Sequence, residues 1–429
     1  MKKVLIITYY WPPSGGGGVQ RWLKMSAYMK QFGCEPIIYT PENPAFNVKD
    51  PSLMKDVMAD IRVIKTPIFE PIDVFFKMFK LVGKKAPEQK DLLSTRNDSF
   101  FQRAATWVRG NWFIPDARIT WVKPSVRFLE KFIEEENIQH IITTGPPHSM
   151  HLIGLRLKKK FPKMQWIVDF RDPWSEWDLW DSLKTGERAR KKHRALELEV
   201  LTQSDLAVSI SKFHVDRLIA LGAKRCELVA NGYDPRDFDH VQRVSTEKFV
   251  VRHLGSIDEL RDPRPFMQAL NELILEKKMD GHKISIEFIG PVNESFKSFV
   301  QENRELKTIT HFGPAVPHSQ VVQLYRSSSL LLLILAHTDI AAGNTPGKMY
   351  EYMASGTPIL GIGPEDGDAA EILNDTQCGK IIDRSQKDAM KAMLHEHYEA
   401  FITGKSMLTT GASPFSRKAL TEKFCQFIR

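Results

Sequence analysis

The chain has 429 residues, with 60 lysines and arginines against 52 aspartates and glutamates and 42% hydrophobic residues. Its length exceeds what one hydrophobic core serves, so two domains of about 200 residues each are expected, with the composition of a soluble globular protein. The net charge of +8 favours anionic partners and leaves nucleic acid, an acidic membrane surface and phosphorylated small molecules open.

The opening Met1-Lys2-Lys3-Val4 looks superficially like a signal peptide, but the apolar run is short and lacks a small-residue cleavage site. It reads instead as a first strand over residues 4–9. A helix over 19–32, ended by Gly33, and a strand over 36–39 complete a βαβ opening. Between strand and helix lies Pro12-Pro13-Ser14-Gly15-Gly16-Gly17-Gly18-Val19-Gln20. Gly16, Gly17 and Gly18 let a ligand approach the backbone where a helix N-terminus offers free N–H groups, which suits phosphate. Gln20 or Arg21 stands where a dinucleotide fingerprint needs its third glycine, and the Gly-Lys-Ser/Thr of a triphosphatase loop is missing.

Residues 71–132 break the rhythm, being rich in Phe, Trp, Lys and Arg, and read as an insertion. Basic residues among aromatics suit an anionic bilayer or a helical subdomain packed on the sheet, and packing is favoured because exposed aromatics would form a costly patch. Strands over 141–143, 166–170, 206–209 and 227–230 then alternate with helices over 150–161 and 189–201, which predicts a parallel sheet covered on both faces. His148, in Gly145-Pro146-Pro147-His148-Ser149, and Asp169, Arg171 and Asp172 follow two of these strands, where open α/β sheets hold ligands. His148 is suited to hold a hydroxyl or move a proton, or is simply structural. The three charged residues touch substrate or form an internal ion network, and both readings stay open.

Asn231-Gly232-Tyr233-Asp234-Pro235 is a turn-rich break, and the linker is expected near 232–246. A second series follows, with strands over 249–254, 285–289, 309–312, 330–335, 359–362 and 380–382. The run 330–335 is far below the ~20 residues of a membrane helix, so no bilayer-spanning segment is expected. Arg261 and Arg264, after the first of these strands, and Lys348 are expected to clamp a diphosphate near an interdomain cleft. Thr345 to Gly356 reads as a helix capped by Thr345, with Pro346 in its first position and Gly356 and Pro358 ending it. On a helical wheel Glu351 falls on a small-residue face with Gly347 and Ala354, where a carboxylate can accept two hydrogen bonds from a ribose diol. Gly367 and Asp368 lie on another loop opening into a helix, suited to sugar hydroxyls or phosphate. Cys34, Cys226, Cys378 and Cys425 are far apart and read as free thiols of a reducing compartment.

Taken together these segments resemble the GT-B glycosyltransferases, particularly the retaining family-four type of bacterial surface polysaccharide synthesis, over essentially the whole chain. Residues 10–19 resemble the family's amino-terminal glycine loop, 231–234 its Asn-Gly-x-Asp segment, and 348–360 the helix and strand whose glutamate holds the donor ribose. The resemblance implies two Rossmann-like domains with parallel sheets facing a cleft: an acceptor-side domain over 1–235, a nucleotide-sugar domain over 236–410, and a terminal helix over 411–429 returning to the first. It implies that Glu351 binds ribose, that Arg261 faces the donor pyrophosphate, and that His148 sits near donor sugar and acceptor. Two positions depart from the family. Gly343 stands where an earlier glutamate is usual, and Gly255-Ser256 replaces Gly-Arg.

The activity implied is transfer of a sugar from a nucleotide diphosphate to a hydroxyl of a glycan or lipid-linked acceptor, with retention. It needs no further cofactor and, lacking an Asp-x-Asp or His/Cys ligand cluster, no metal. The protein is expected in the cytoplasm, with peripheral contact at the inner membrane surface. Gly343 and Ser256 motivate the alternative of a nucleotide-sugar-binding protein with reduced turnover. A glycoside hydrolase would rest on Asp169 and Asp172 alone and ranks low. Nucleic-acid binding lacks a helix-turn-helix, zinc or RNA-binding signature.

Overall fold

The computed structural model describes all residues except 47, 71–105, 109, 177–182 and 339. It divides into two units, Met1–Ala230 with Thr421–Arg429, and Asn231–Leu420.

The first unit is built on seven parallel strands, β1 (Lys2–Ile7), β2 (Cys34–Pro41), β3 (Arg62–Thr66), β4 (His140–Gly145), β5 (Gln165–Phe170), β6 (Leu206–Ser209) and β7 (Cys226–Leu228), in the order β3-β2-β1-β4-β5-β6-β7. Strands buried on both faces need no polar alternation, and β1 accordingly reads Val4-Leu5-Ile6-Ile7 with every side chain fully buried. The helices Gly17–Met29, Ile119–Glu136, Ser149–Lys160 and Glu187–Gln203 accompany the sheet. The helix Ile119–Glu136 buries Trp121, Val122, Leu129 and Phe132 in the main core, with Trp121 stacked on Tyr39 at 4.9 Å. The later part of the aromatic insertion therefore packs on the sheet, while Trp107 and Trp112 remain 47% and 72% exposed. Its remainder, 71–105 and Arg109, lies outside the described residues.

The last residues belong to this unit as well. Phe424 meets Trp22 edge-on at 5.2 Å, Gln165 donates to the Phe427 carbonyl, and Lys2 donates to the Ile428 carbonyl. The four cysteines form no disulfide, yet two of them are neighbours. The Cys425 thiol hydrogen-bonds to Cys34, which lowers the Cys34 pKa against the opposing effect of burial.

The second unit has six parallel strands, β8 (Phe249–Leu254), β9 (Ile284–Ile289), β10 (Thr310–Gly313), β11 (Leu330–Ile334), β12 (Ile359–Ile362) and β13 (Gly379–Ile382), in the order β10-β9-β8-β11-β12-β13. In both sheets the order reverses once, between β1 and β4 and between β8 and β11. Loops leaving the carboxyl ends of strands at such a reversal diverge and leave room for a ligand. No helix among the described residues is long and apolar enough to cross a membrane.

Candidate functional site

In the second unit the site forms where the helix Gly347–Ser355 meets the end of β8. The helix starts later than its sequence implies. Pro346, with φ −66° and ψ 145°, takes the capping position, which leaves the buried Thr345 hydroxyl without a hydrogen-bond partner. Gly356, at φ 73°, ends the helix in the left-handed conformation glycine tolerates. One face grips the Leu254 peptide from both sides. Tyr352 Oη accepts the Leu254 N–H at 2.9 Å, and Lys348 Nζ donates to the Leu254 carbonyl at 3.1 Å. Gly255 follows at φ 140°, and a β-carbon there would lie 2.8 Å from Lys348 Nζ, so only glycine lets the ammonium lie against the strand end.

Burial pushes the Lys348 ammonium down to about 7, with Arg261 adding to the effect and Asp258 opposing it. His253 lies beside it, Nε2 to Nζ 3.4 Å, and burial followed by the Lys348 charge holds that imidazole well below its ordinary range, hence neutral. Arg261 is held by Asp258, with Nη1 to Oδ2 at 2.7 Å and its own N–H donating to Oδ1. Two like charges thus share the carboxyl end of β8 with one carboxylate to balance them. This is an environment a diphosphate would neutralise. Arg264 does not join them. Asp262 at 3.1 Å, the Ser295 hydroxyl and the Phe299 ring at 5.7 Å hold it at the head of its own helix.

Glu351 is not the lone group expected on an empty face. Its Oε1 lies 3.2 Å from His318 Nε2, and its Oε2 accepts from Tyr325 Oη at 2.9 Å. Burial acts to raise its pKa, but hydrogen bonds from His318 and Tyr325, with the charges of His318 and Arg417, outweigh it and hold the carboxyl below its ordinary value. Gly367 caps the helix Asp368–Thr376, and its α-carbon passes so near Ala342 that a β-carbon would meet the Ala342 carbonyl at 2.9 Å. The loops carrying Gly343 and Gly367 are therefore packed together.

In the first unit the glycine loop leads into the helix Gly17–Met29, whose first turn has no side-chain cap. Gly15 is committed elsewhere, its N–H donating to the Val48 carbonyl, whereas β-carbons at Gly16 and Gly17 would meet nothing within 4 Å. Gly18 is enclosed, its carbonyl accepting from Arg171 Nη1 at 3.1 Å. Arg171 also donates to Thr144 and to the Pro146 carbonyl, tying the start of the helix Gly17–Met29 to the end of β4 from a buried position.

Asp169 is fully buried and accepts from Arg21, Trp22 at 2.7 Å and Thr144 at 2.9 Å, with Arg21 Nη2 at 3.0 Å. Asp169 is thus engaged in a buried ion pair within the first unit. Its partner is Arg21, the residue that spoils the dinucleotide fingerprint. Asp172 by contrast is exposed and lines a small pocket with Trp174, Glu176, Glu197, His214 and Arg217. Glu197 carries no signal in the sequence; burial on its helix pushes its carboxyl up to about 7.

His148 stacks flat on Trp174, with ring centroids 4.9 Å apart and planes 5° apart. Burial, then the charges of His151 and Arg171, push it well below the ordinary histidine range. Both influences favour its neutral imidazole over the charged form. His151 was not anticipated. It is fully buried, hydrogen-bonded to Thr143 at 2.9 Å, and pushed down to about 3 by burial and Arg171. The unpartnered Nδ1 of His148 and Nε2 of His151 both face Gly145, where a β-carbon would lie 2.9 and 2.6 Å from them. The following helix N-terminus is already taken, since Asp116 accepts from the Ser149 N–H and hydroxyl at 2.9 and 2.8 Å. Among the described residues no group of three or more His, Cys, Asp or Glu is placed to hold a metal ion.

The chain matches no protein-family model and no curated protein sequence. Solved structures match it end to end. Sucrose-phosphate synthase from Thermosynechococcus elongatus is similar at a TM-score of 0.65 and 12% identity, over 100% of this chain and 98% of that one. WaaG, a glycosyltransferase involved in lipopolysaccharide biosynthesis, is similar at 0.53 and 13% identity, over 99% of each chain. A chain from Listeria monocytogenes described as a UDP-N-acetylglucosamine 2-epimerase is similar at 0.56 and 12% identity, over 100% of this chain and 96% of that one. Two parallel sheets of seven and six strands, matched over their full length at such low identity, give this chain the GT-B fold of glycosyltransferases.

Proposed function

We propose that this protein transfers a sugar from a nucleoside-diphosphate sugar to a hydroxyl of a glycan or lipid-linked acceptor, with retention of configuration. The observation that carries the proposal is the cationic pair at the end of β8: Lys348, driven to about 7 by burial and by Arg261, one helical turn before Glu351. A diphosphate relieves the repulsion between the two cations, and the charge that builds on the departing phosphate is stabilised by groups already oriented toward it. Glu351 takes the ribose diol. Gly16 and Gly17, at an uncapped helix start, and the Gly367-Asp368 turn offer backbone N–H groups to phosphate or sugar oxygens. The diphosphate leaves from the face the acceptor approaches, and its oxygen helps remove the acceptor proton.

A role in surface polysaccharide or glycoconjugate synthesis draws support from the likeness to WaaG, and a cytoplasmic enzyme resting on the inner membrane surface from the exposed Trp107 and Trp112. Purified protein incubated with a panel of nucleotide sugars and glycan or lipid-linked acceptors should release nucleoside diphosphate with formation of a glycoside of unchanged anomeric configuration. Gly343 and Ser256 favour one other reading, a nucleotide-sugar-binding protein with reduced turnover. It would bind a nucleotide in the same assay and form no product with any acceptor.

A further inference from the structure

Every side chain of the central strand β8 is buried, so a polar residue in it must find partners for its polar atoms inside the fold. His253 is 1% exposed, and both of its ring nitrogens have one. Nδ1 lies 2.9 Å from the Leu332 carbonyl of the neighbouring strand β11. A carbonyl only accepts, so the proton of the neutral ring sits on Nδ1 and the lone pair on Nε2. That lone pair faces Lys348 Nζ at 3.4 Å, and the Leu254 carbonyl accepts from the same Nζ at 3.1 Å. Two acceptors at fixed points stop the ammonium from turning about its last bond and set the direction of its third N–H.

We propose that His253 is a positioning residue for Lys348: its imidazole, locked in one tautomer by β11, turns the remaining N–H of the lysine toward the diphosphate. The inference rests on the reading of Lys348 as a diphosphate ligand. The lone pair also favours the charged lysine over the neutral one, because an ammonium donates more strongly than an amine. The other charges facing Lys348 come from the loop after β8, where Arg261 opposes its protonation and Asp258 favours it. The ring in turn faces Phe288 at 6.2 Å, the main chain of Leu332 and Ser256, and the charges of Lys348 and Arg261.

Two substitutions separate the two nitrogens. His253→Asn keeps an N–H where Nδ1 stands and leaves nothing at Nε2, whereas His253→Gln reaches the Nε2 position with an oxygen that accepts. The test is calorimetric titration of the full chain with ADP, GDP and UDP at pH 6 and 8, for wild type, both variants, Lys348→Met and the two double variants. His253→Gln should bind within about twofold of wild type. His253→Asn should bind roughly tenfold more weakly at pH 8 and lose less at pH 6, because without its acceptor the lysine releases its proton at lower pH. In the Lys348→Met background neither change at this position should matter. Equal losses in His253→Asn and His253→Gln, or losses that persist beside Lys348→Met, would show that His253 only holds β8 to β11. Nitrogen NMR of the wild-type imidazole needs no variant: a proton on Nδ1 is expected, and a proton on Nε2 overturns the proposal. If no diphosphate binds wild type, or Lys348→Met binds as wild type does, the diphosphate reading of Lys348 fails, and the positioning role with it.

Discussion

Lys348 shows how one side chain links folding to ligand binding. Its ordinary pKa is 10.5, and in the fold it is about 7, chiefly through burial. Between those values the unfolded chain keeps a proton the folded chain has released, so the contribution of this group to stability rises with pH across that window. A bound diphosphate reverses the balance by favouring the ammonium. Nucleotide binding above pH 7 should therefore take up a proton, with affinity falling by up to about tenfold per pH unit. Calorimetry in buffers of different ionisation enthalpy reads this directly, and Lys348→Met should bind with neither proton uptake nor slope. That Lys348 and Glu351 share one short helix was legible because its wheel can be drawn from sequence. Their partners were not. His318 stands 33 residues before Glu351 and meets it only through the packing of two helices. Arg21 looked like a flaw in a phosphate loop until β5 brought Asp169 against it.

At the scale of elements, the helix Gly347–Ser355 and β8 act as a unit because Tyr352 and Lys348 hold both polar groups of the Leu254 peptide. Tyr352→Phe leaves that buried N–H unpaired and should cost about 1–3 kcal/mol in urea denaturation. It should also weaken nucleotide binding, because the strand end that positions Lys348 is loosened. Central strands were legible for a physical reason: a parallel strand covered on both faces is an apolar run, and β6, β8 and β12 fall where such runs predict. The edge strand β3, Arg62-Val63-Ile64-Lys65-Thr66, escaped because none of its residues is fully buried and its apolar pair is flanked by charge. The site helix starts one residue later than the Thr345 cap and Pro346 first position read from sequence, because Pro346 takes an extended ψ of 145° and becomes the cap itself.

At the scale of the whole molecule, the chain closes the first unit with its own last residues. Phe424 is 1% exposed against Trp22, and Phe424→Ala should destabilise the protein by about 3–5 kcal/mol while leaving nucleotide affinity in the second unit unchanged, as thermal unfolding with and without UDP would show. The two-sheet architecture was legible from the alternation of apolar strands and helices. The chemistry is less so, because one fold carries a sucrose-phosphate synthase and a chain described as an epimerase alike, and specificity resides in a few loop residues. The central claim is sugar transfer from a nucleoside-diphosphate donor bound by Lys348, Arg261 and Glu351. It is tested most directly by following nucleotide sugars and acceptors by NMR with wild type, Lys348→Met and Glu351→Ala. The account predicts acceptor-dependent release of nucleoside diphosphate and a retained glycosidic linkage for wild type, with loss of at least tenfold in each variant. Epimerisation of the donor, or nucleotide release equal in all three proteins, would contradict it.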